Sequence, residues 1–332
     1  MNNVLLNNDV FLYICNYWMT EKELIQLELV SKFHKHIIRK NKWMNIPIMI
    51  KSENMLLKIL KTHHFSNFIL FRMVLTKKCL SKLSNCHTLS LLWSTITDAG
   101  LSKLSNCTNL NLRQTNISDV GVVKLTKCQS LNLSCTKVTD VGIAKLTGCH
   151  TLDLTDTNIT DVGISYLTNC QTLNISDTKV TDVGISKLIN CHVLDISNTK
   201  ITDASVPYLA NCYHLNFSST QITGQYLSAL RHCYSLNLSH TGITDHDITM
   251  FIDHITACQI LFLSWTKITD HSVPKLNHFH ELYLTGCSDI TDVNLNKLTN
   301  CHDIWVGSTS VTKRGIAILM DNGCVVHKEY EE

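Results

Sequence analysis

Cys149 to Asn169 read C-H-T-L-D-L-T-D-T-N-I-T-D-V-G-I-S-Y-L-T-N, and the stretch from Cys170 answers with C-Q-T-L-N-I-S-D-T-K-V-T-D-V-G-I-S-K-L-I-N. A period of roughly 20 to 50 residues marks a stacked array, in which no copy buries its apolar face alone. Within the copy, Leu152 and Leu154 alternate with polar residues, the period of a short half-buried strand. Thr157 and Ile159 turn the chain inward. Thr160 and Asp161 are placed to cap a short helix, where an acidic side chain at the positive end is favourable. Ile164, Leu167 and Cys170 recur every third residue and so face the strand together. Stacking such copies predicts an α/β fold: a parallel sheet on one side, short helices on the other, and a shared core between them.

Working outward, copies begin at Cys86, Cys107, Cys128, Cys149, Cys170, Cys191, Cys212, Cys233, Cys258, Phe279 and Cys301, with a partial one at Cys324. The spacing is 21 residues up to Cys233 and then 25, 21, 22 and 23. The four extra residues between Ile248 and Ile255 amount to about one helical turn, which keeps the same face inward. Pro207 and Pro274 fall where a helix should run, so those two helices are expected to begin late. Upstream, Ile46, Ile48 and Ile50 alternate like a strand, and Leu56, Leu57 and Leu60 suggest a helix. A degenerate copy from Phe65 to Asn85 is expected to seal the open end of the core as its N-terminal cap.

The chain has 332 residues, a net charge of +2 and 17% charged residues, which gives no reason to expect nucleic acid. No apolar run reaches the ~18 residues of a membrane span. The opening M-N-N-V-L-L-N-N-D-V lacks the basic start and small-residue cleavage site of a secretory signal. With fifteen cysteines, that points to reduced thiols in a cytoplasmic or nuclear setting. An abundance of Asn, Ile and Lys is compatible with AT-rich coding, as in some protists and large DNA viruses; for a viral source the setting is the host-cell cytoplasm.

Residues 1–45 stand outside the repeat. Val10, Ile14 and Tyr17, then Leu24, Leu27 and Val30, then Phe33, Ile37 and Trp43 predict three short helices, with Thr20 and Glu23 as a capping box. The run L-N-N-D-V-F-L-Y-I-C-N-Y-W-M-T-E-K-E-L-I-Q-L-E-L-V-S-K-F-H-K-H-I-I, followed by Trp43, resembles an F-box, although Asn7 stands where that family has proline. The repeat copies resemble leucine-rich repeats of the cysteine-containing type, most openly E-L-Y-L-T-G-C-S-D-I-T-D from Glu281. An F-box followed by such repeats is a known combination. The expected organisation is therefore an F-box-like helical domain over 1–45, a transitional segment and capping repeat over 46–85, and a leucine-rich-repeat solenoid over 86–332.

That resemblance implies a substrate receptor of an SCF-type ubiquitin ligase. Leu6, Asp9, Val10, Ile14, Tyr17, Leu24, Leu27, Val30 and Trp43 would bind a Skp-family adaptor and, through it, a cullin scaffold. The solenoid would hold a target protein on its concave face. The chain would supply no catalytic group, no metal and no cofactor, and would touch neither nucleic acid nor membrane. A second reading is an adaptor-independent interaction scaffold. A third, a regulator of a small GTPase, rests on Arg113 alone.

The recurring columns read as structure. The Cys column tolerates Phe65 and Phe279, so it holds a buried small hydrophobe rather than a ligand set. The Asp column (Asp98, Asp119, Asp140, Asp161, Asp182, Asp203, Asp245, Asp270 and Asp292) reads as each Asp serving its own helix start. The Thr column from Thr115 to Thr309 reads as bonding backbone at each turn. His246, His254 and His271 are the nearest thing to a metal cluster, and a solvated surface explains them as well. The variable position is the residue between the two strand leucines, which is polar for eight copies and then becomes Phe262, Tyr283 and Trp305, with Trp265 beside them. These four form the candidate target-binding cluster, with Asp153, Asp156, Asp177 and Asp195 as an acidic patch next to it.

Overall fold

The computed structural model describes His36, Ile38, Lys42, Trp43 and residues 46–328. The expected adaptor-binding residues from Leu6 to Val30 therefore lie outside the described residues. Trp43 lies in a two-residue strand, β1 (Lys42–Trp43), paired in parallel with β3 (His64–Phe65).

The chain divides into two compact parts, residues 1–149 and 150–332. In the first, β2 (Ile48–Ile50), β4 (Asn67–Leu70), β5 (Thr88–Ser90), β6 (Asn109–Asn111) and β7 (Ser130–Asn132) pair in sequence order, all parallel. In the second, the strands run β8 (Thr151–Asp153), β9 (Thr172–Asn174), β10 (Val193–Asp195), β11 (His214–Asn216), β12 (Ser235–Asn237), β13 (Ile260–Phe262), β14 (Glu281–Tyr283), β15 (Asp303–Trp305) and β16 (Val325–His327). Each again pairs with the next in parallel. The register places equivalent residues side by side: Leu152 against Leu173, Leu173 against Leu194, Leu194 against Leu215. An in-register stack turns every sequence column into a spatial row.

The inward rows are dry. Leu152, Leu154, Ile159, Ile164, Leu167 and Cys170 are all at most 2% exposed. Each helix after a strand is short. Asp161–Ile164 has four residues and is capped by Thr160, whose hydroxyl accepts from the amide of Val162. Helices this short are marginal alone and persist through packing of the apolar face. The inserted residues near Ile248 do add about a turn: helix Asp245–Phe251 continues into the 3-10 turn Ile252–His254. The helix at Pro274 begins late, as a 3-10 turn Val273–Leu276.

Two expectations are corrected. Pro207 does not delay its helix. The segment starts at Asp203 like its neighbours and runs as a 3-10 helix, Asp203–Leu209, with Pro207 inside it. The tighter i→i+3 pattern leaves the missing proline N–H at little cost. The copy at Phe65–Asn85 is not the end of the sheet either, because β2 pairs outside it and brings buried Ile48, Ile50 and Leu56 to cover the core. That outer copy carries no cysteine mark, so its membership shows only in the pairing.

The Asp column works differently from its sequence reading. Asp161 does not serve its own helix. Its Oδ1 accepts from the amide of Thr181 at 2.7 Å and from that of Gly184 at 3.1 Å, and its Oδ2 from the Thr181 hydroxyl at 2.7 Å. The same reach joins Asp98 to Ser118, Asp119 to Thr139, Asp182 to Thr202, Asp270 to Thr291 and Asp292 to Thr312. Stacking brings these carboxylates beneath the N-terminus of the following helix, whose orphan amides they satisfy along with the favourable dipole. The glycine of T-D-x-G lets the backbone close in: a Cβ on Gly184 would lie 2.6 Å from Asp161 Oδ1. Where Gly224 replaces the aspartate, the next helix supplies its own cap. Asp247 reaches back to the Thr244 amide at 2.9 Å and its hydroxyl at 2.6 Å.

The Thr column behaves as read: Thr157 donates to the Leu154 carbonyl at 2.5 Å, and all nine threonines repeat this bond three residues back.

Candidate protein-binding site

The sheet's outward rows hold the candidate site, and all of its residues lie in the second part. Phe262, Tyr283 and Trp305 are the last, outward-facing residues of β13, β14 and β15, so the register sets them directly above one another. Their rings stack at centroid separations of 4.0 and 3.9 Å with interplanar angles of 18° and 8°. His327 on β16 extends the row, 4.2 Å from Trp305 and 11° from parallel. The result is a four-ring ladder, each member part-exposed. Offset or parallel aromatic pairs contribute about 0.5–1.5 kcal/mol beyond simple burial, so the ladder is pre-formed rather than a set of loose side chains.

Polar neighbours fix its far end. Asp303 Oδ1 pairs with His327 Nε2 at 2.9 Å and its Oδ2 with His302 Nδ1 at 2.6 Å. Hydrogen bonds from His327 and then His302 outweigh a small burial penalty and hold the Asp303 carboxyl below its ordinary range. His302 stacks on His280 at 4.9 Å. Along the near flank, the Tyr283 hydroxyl reaches Glu281 at 3.4 Å.

Trp265 is not part of the ladder. It occupies the turn after β13, where every copy places a residue at positive φ, and is itself at φ 58. Its ring is 53% exposed and lies over Gly286, where a Cβ would come within 2.3 Å of the indole; on the other side it stacks with His240 at 5.9 Å. Asp156 and Asp177 share that turn row, at φ 52 and 57, and Asn198 donates a short hydrogen bond to Asp177. Asp153 and Asp195 lie in the strand row with the ladder. The predicted acidic patch is thus two short rows rather than one cluster.

The strand row is also less free than its variability suggests. Asp153 Oδ1 accepts from the Thr155 amide at 3.0 Å and its hydroxyl at 2.7 Å, and Asp195 does the same with Ser197. Asn132, Asn174, Asn216 and Asn237 make the equivalent turn bond. Asx side chains here close the strand end, and Phe262, Tyr283 and Trp305 give that up.

His327 and the flanking pair Tyr213 and Tyr234, stacked at 5.1 Å, escaped the sequence reading. The column offset from the preceding cysteine places Lys328 rather than His327 in the row, because the last copy is one residue short between Cys324 and its strand. Tyr213 and Tyr234 directly follow their cysteines, a row whose outward placement only the register shows.

The described cysteines form no disulfide. All of the described ones except Cys135 lie in the core, and thiols donate along the stack, Cys128 to the Cys107 carbonyl at 3.1 Å and Cys149 to that of Cys128 at 3.0 Å. Burial pushes Cys107, Cys149 and Cys191 up to about 11 and Cys128 and Cys258 up to about 12. These are poor nucleophiles at neutral pH. Among the described residues no group of three His, Cys, Asp or Glu side chains could hold a metal. His246 instead lines a cavity of about 280 Å3 with Tyr226, Asp247 and Met250, while His271 bonds Thr269. The Arg113 amide donates to the Asn111 side chain at 3.0 Å. No described helix is long and apolar enough to cross a membrane.

The leucine-rich-repeat family model matches residues 129–146, 150–167 and 168–188. Among solved structures, an internalin of Listeria monocytogenes, InlF, superposes with a TM-score of 0.62 at 18% identity, covering 94% of this chain and 96% of its own. A leucine-rich-repeat protein of Leptospira interrogans gives 0.59 at 17% identity, over 90% of this chain and 87% of its own. The functional domain of InlJ from Listeria monocytogenes, which includes a cysteine ladder, gives 0.56 at 18% identity over 76% of this chain and 56% of its own. No curated protein sequence matches. The class is thereby defined at the level of fold: the chain carries leucine-rich repeats over those residues and is folded as leucine-rich-repeat proteins are.

Proposed function

We propose that this chain is a non-catalytic substrate receptor of an SCF-type ubiquitin ligase, which binds a target protein on the outward sheet rows of its second part. The observation that carries the receptor reading is the four-ring ladder: large, pre-stacked, part-exposed side chains on a rigid sheet are what a protein-binding hot spot requires. The adaptor half rests on the F-box resemblance of residues 6–43, with Leu6, Asp9, Val10, Ile14, Tyr17, Leu24, Leu27, Val30 and Trp43 gripping a Skp-family adaptor joined to a cullin. In that arrangement the chain raises the effective concentration of target lysines beside a loaded conjugating enzyme. Its setting is the cytoplasm or nucleus.

The test is co-purification of the full chain with a Skp-family adaptor, beside a Val10→Asp, Leu27→Asp variant. Capture by the parent and loss in the variant supports the ligase receptor. No capture by either overturns it in favour of the second reading, an adaptor-independent scaffold, which Asn7 in place of the family's proline favours.

A further inference from the structure

Charge on the sheet face of the second part is one-sided. Its outward rows, from β8 to β15, carry Asp153, Asp156, Asp177, Asp195, Glu281 and Asp303, and not one lysine or arginine. The cations of this part lie elsewhere: Lys179, Lys200 and Lys267 in the turns beyond the rows, Lys187, Arg231, Lys275, Lys297, Lys313 and Arg314 in or by the helices. Lys328, just past β16, donates to the Val311 carbonyl at 2.7 Å. The second part has therefore sorted its cations away from the face that bears the aromatic ladder.

We propose that this face takes an extended segment of the partner protein that carries lysines or arginines along the strand rows and ends on an apolar side chain at the Phe262–His327 ladder. The proposal rests on the receptor reading above and names its partner chemistry. The division of labour follows from ring geometry. Because the four rings stack face on face, the π-faces between them are covered and the ring edges are left to face a partner. Ring edges are the positive part of the aromatic quadrupole, so a cation gains nothing there and an apolar group does. The cations go instead to the carboxylates of Asp153, Asp156, Asp177, Asp195 and Glu281. Asp303 is already committed to His302 and His327 and fixes the last ring. Strands lie about 4.8 Å apart, so β8 to β16 span about 38 Å, the reach of roughly 12 extended residues. The same charge distribution repels a phosphate backbone, which makes a nucleic acid the wrong occupant.

The experiment is selection from a displayed random-peptide library of about that length on the immobilised full chain, repeated on two variants. One is Asp153→Asn, Asp156→Asn, Asp177→Asn, Asp195→Asn. Asparagine already stands in the same rows at Asn174, Asn198 and Asn216, so the turn bonds and the fold are retained. The other is Phe262→Ala, Trp305→Ala. The expected result is enrichment of Lys or Arg with an aromatic or aliphatic residue near one end, lost for the basic positions in the first variant and for the apolar position in the second. Binding of a selected peptide should weaken at least tenfold between about 0.1 and 1 M salt, as the screening length falls from about 10 to 3 Å. Selection of acidic or uncharged sequences, enrichment unchanged by the asparagine variant, or no selection at all overturns the proposal. Adaptor capture without peptide selection would leave the receptor reading standing and remove this inference; peptide selection without adaptor capture would do the reverse.

Discussion

Asp161→Ala isolates the bond that ties one repeat to the next. The substitution removes an acceptor of three hydrogen bonds, two from Thr181 at 2.7 Å and one from Gly184 at 3.1 Å. Hydrogen bonds to a charged group contribute about 1.5–3 kcal/mol each, but these three share one part-buried carboxylate and water reaches its rim. Losing a helix cap alone costs about 1 kcal/mol. A total near 3 kcal/mol follows. Asp161→Asn retains the acceptor for both amides and turns its NH2 toward the Thr181 hydroxyl, which accepts; that variant should lose only the charge, about 1 kcal/mol. Urea unfolding followed by circular dichroism reads both as shifts in midpoint, with the slope watched for a break-up of the array into separately melting segments. If Asp161→Ala unfolds with the parent, the inter-repeat bonds contribute nothing. If Asn costs as much as Ala, it is charge rather than geometry that matters, and the account above fails.

Other expectations are independent of that one. Asp245 is held below its ordinary carboxyl range: burial alone would raise it, but hydrogen bonds from the Ser272 hydroxyl and from Thr269 outweigh it. Its contribution is present above the unfolded value of about 4 and is lost as pH falls through the folded one, so thermal melting should fall at acid pH in the parent and less steeply in Asp245→Asn. Gly286→Ala puts a methyl 2.3 Å from the Trp265 ring at φ +77; it should cost roughly 1–3 kcal/mol by that backbone strain and shift tryptophan emission, and an unshifted spectrum would refute the packing. Among the described cysteines only Cys135 should alkylate quickly in native protein at pH 8, the others only on unfolding; mass spectrometry of early labelling sites reads this.

The parts of the fold legible in sequence are those encoded within one copy. The strand pair Leu152 and Leu154, the Thr157 turn bond and the Thr160 cap are local, and a copy carries its own instructions for each. What escaped depends on what the neighbouring copy brings alongside. The Asp161 carboxylate meets its partners 20 and 23 residues away, and nothing local distinguishes that from capping its own helix. The ladder was legible up to Trp305, because column counting is reliable while the spacing holds. One missing residue before β16 hid His327. The role of β2 was hidden because its copy lacks the cysteine by which the others are counted. At Asp153 and Asp195, the sequence showed an exposed polar row but not that the side chains also close their strands.

The carboxylate ladder gives the stack a grammar of dependence. Most helix starts lean on the copy before them, so a fragment cut at such a boundary leaves its first helix with its own Thr cap but without the carboxylate that reinforces it. The copy beginning at Cys233 is an exception inside the array, because Asp247 closes its own helix and Gly224 offers nothing to it. That boundary is a natural seam. A fragment beginning there starts from a self-sufficient copy and carries the whole ring ladder with it, separated from the carboxylates of Asp153 to Asp195, so the apolar half of the recognition face could be rebuilt by itself.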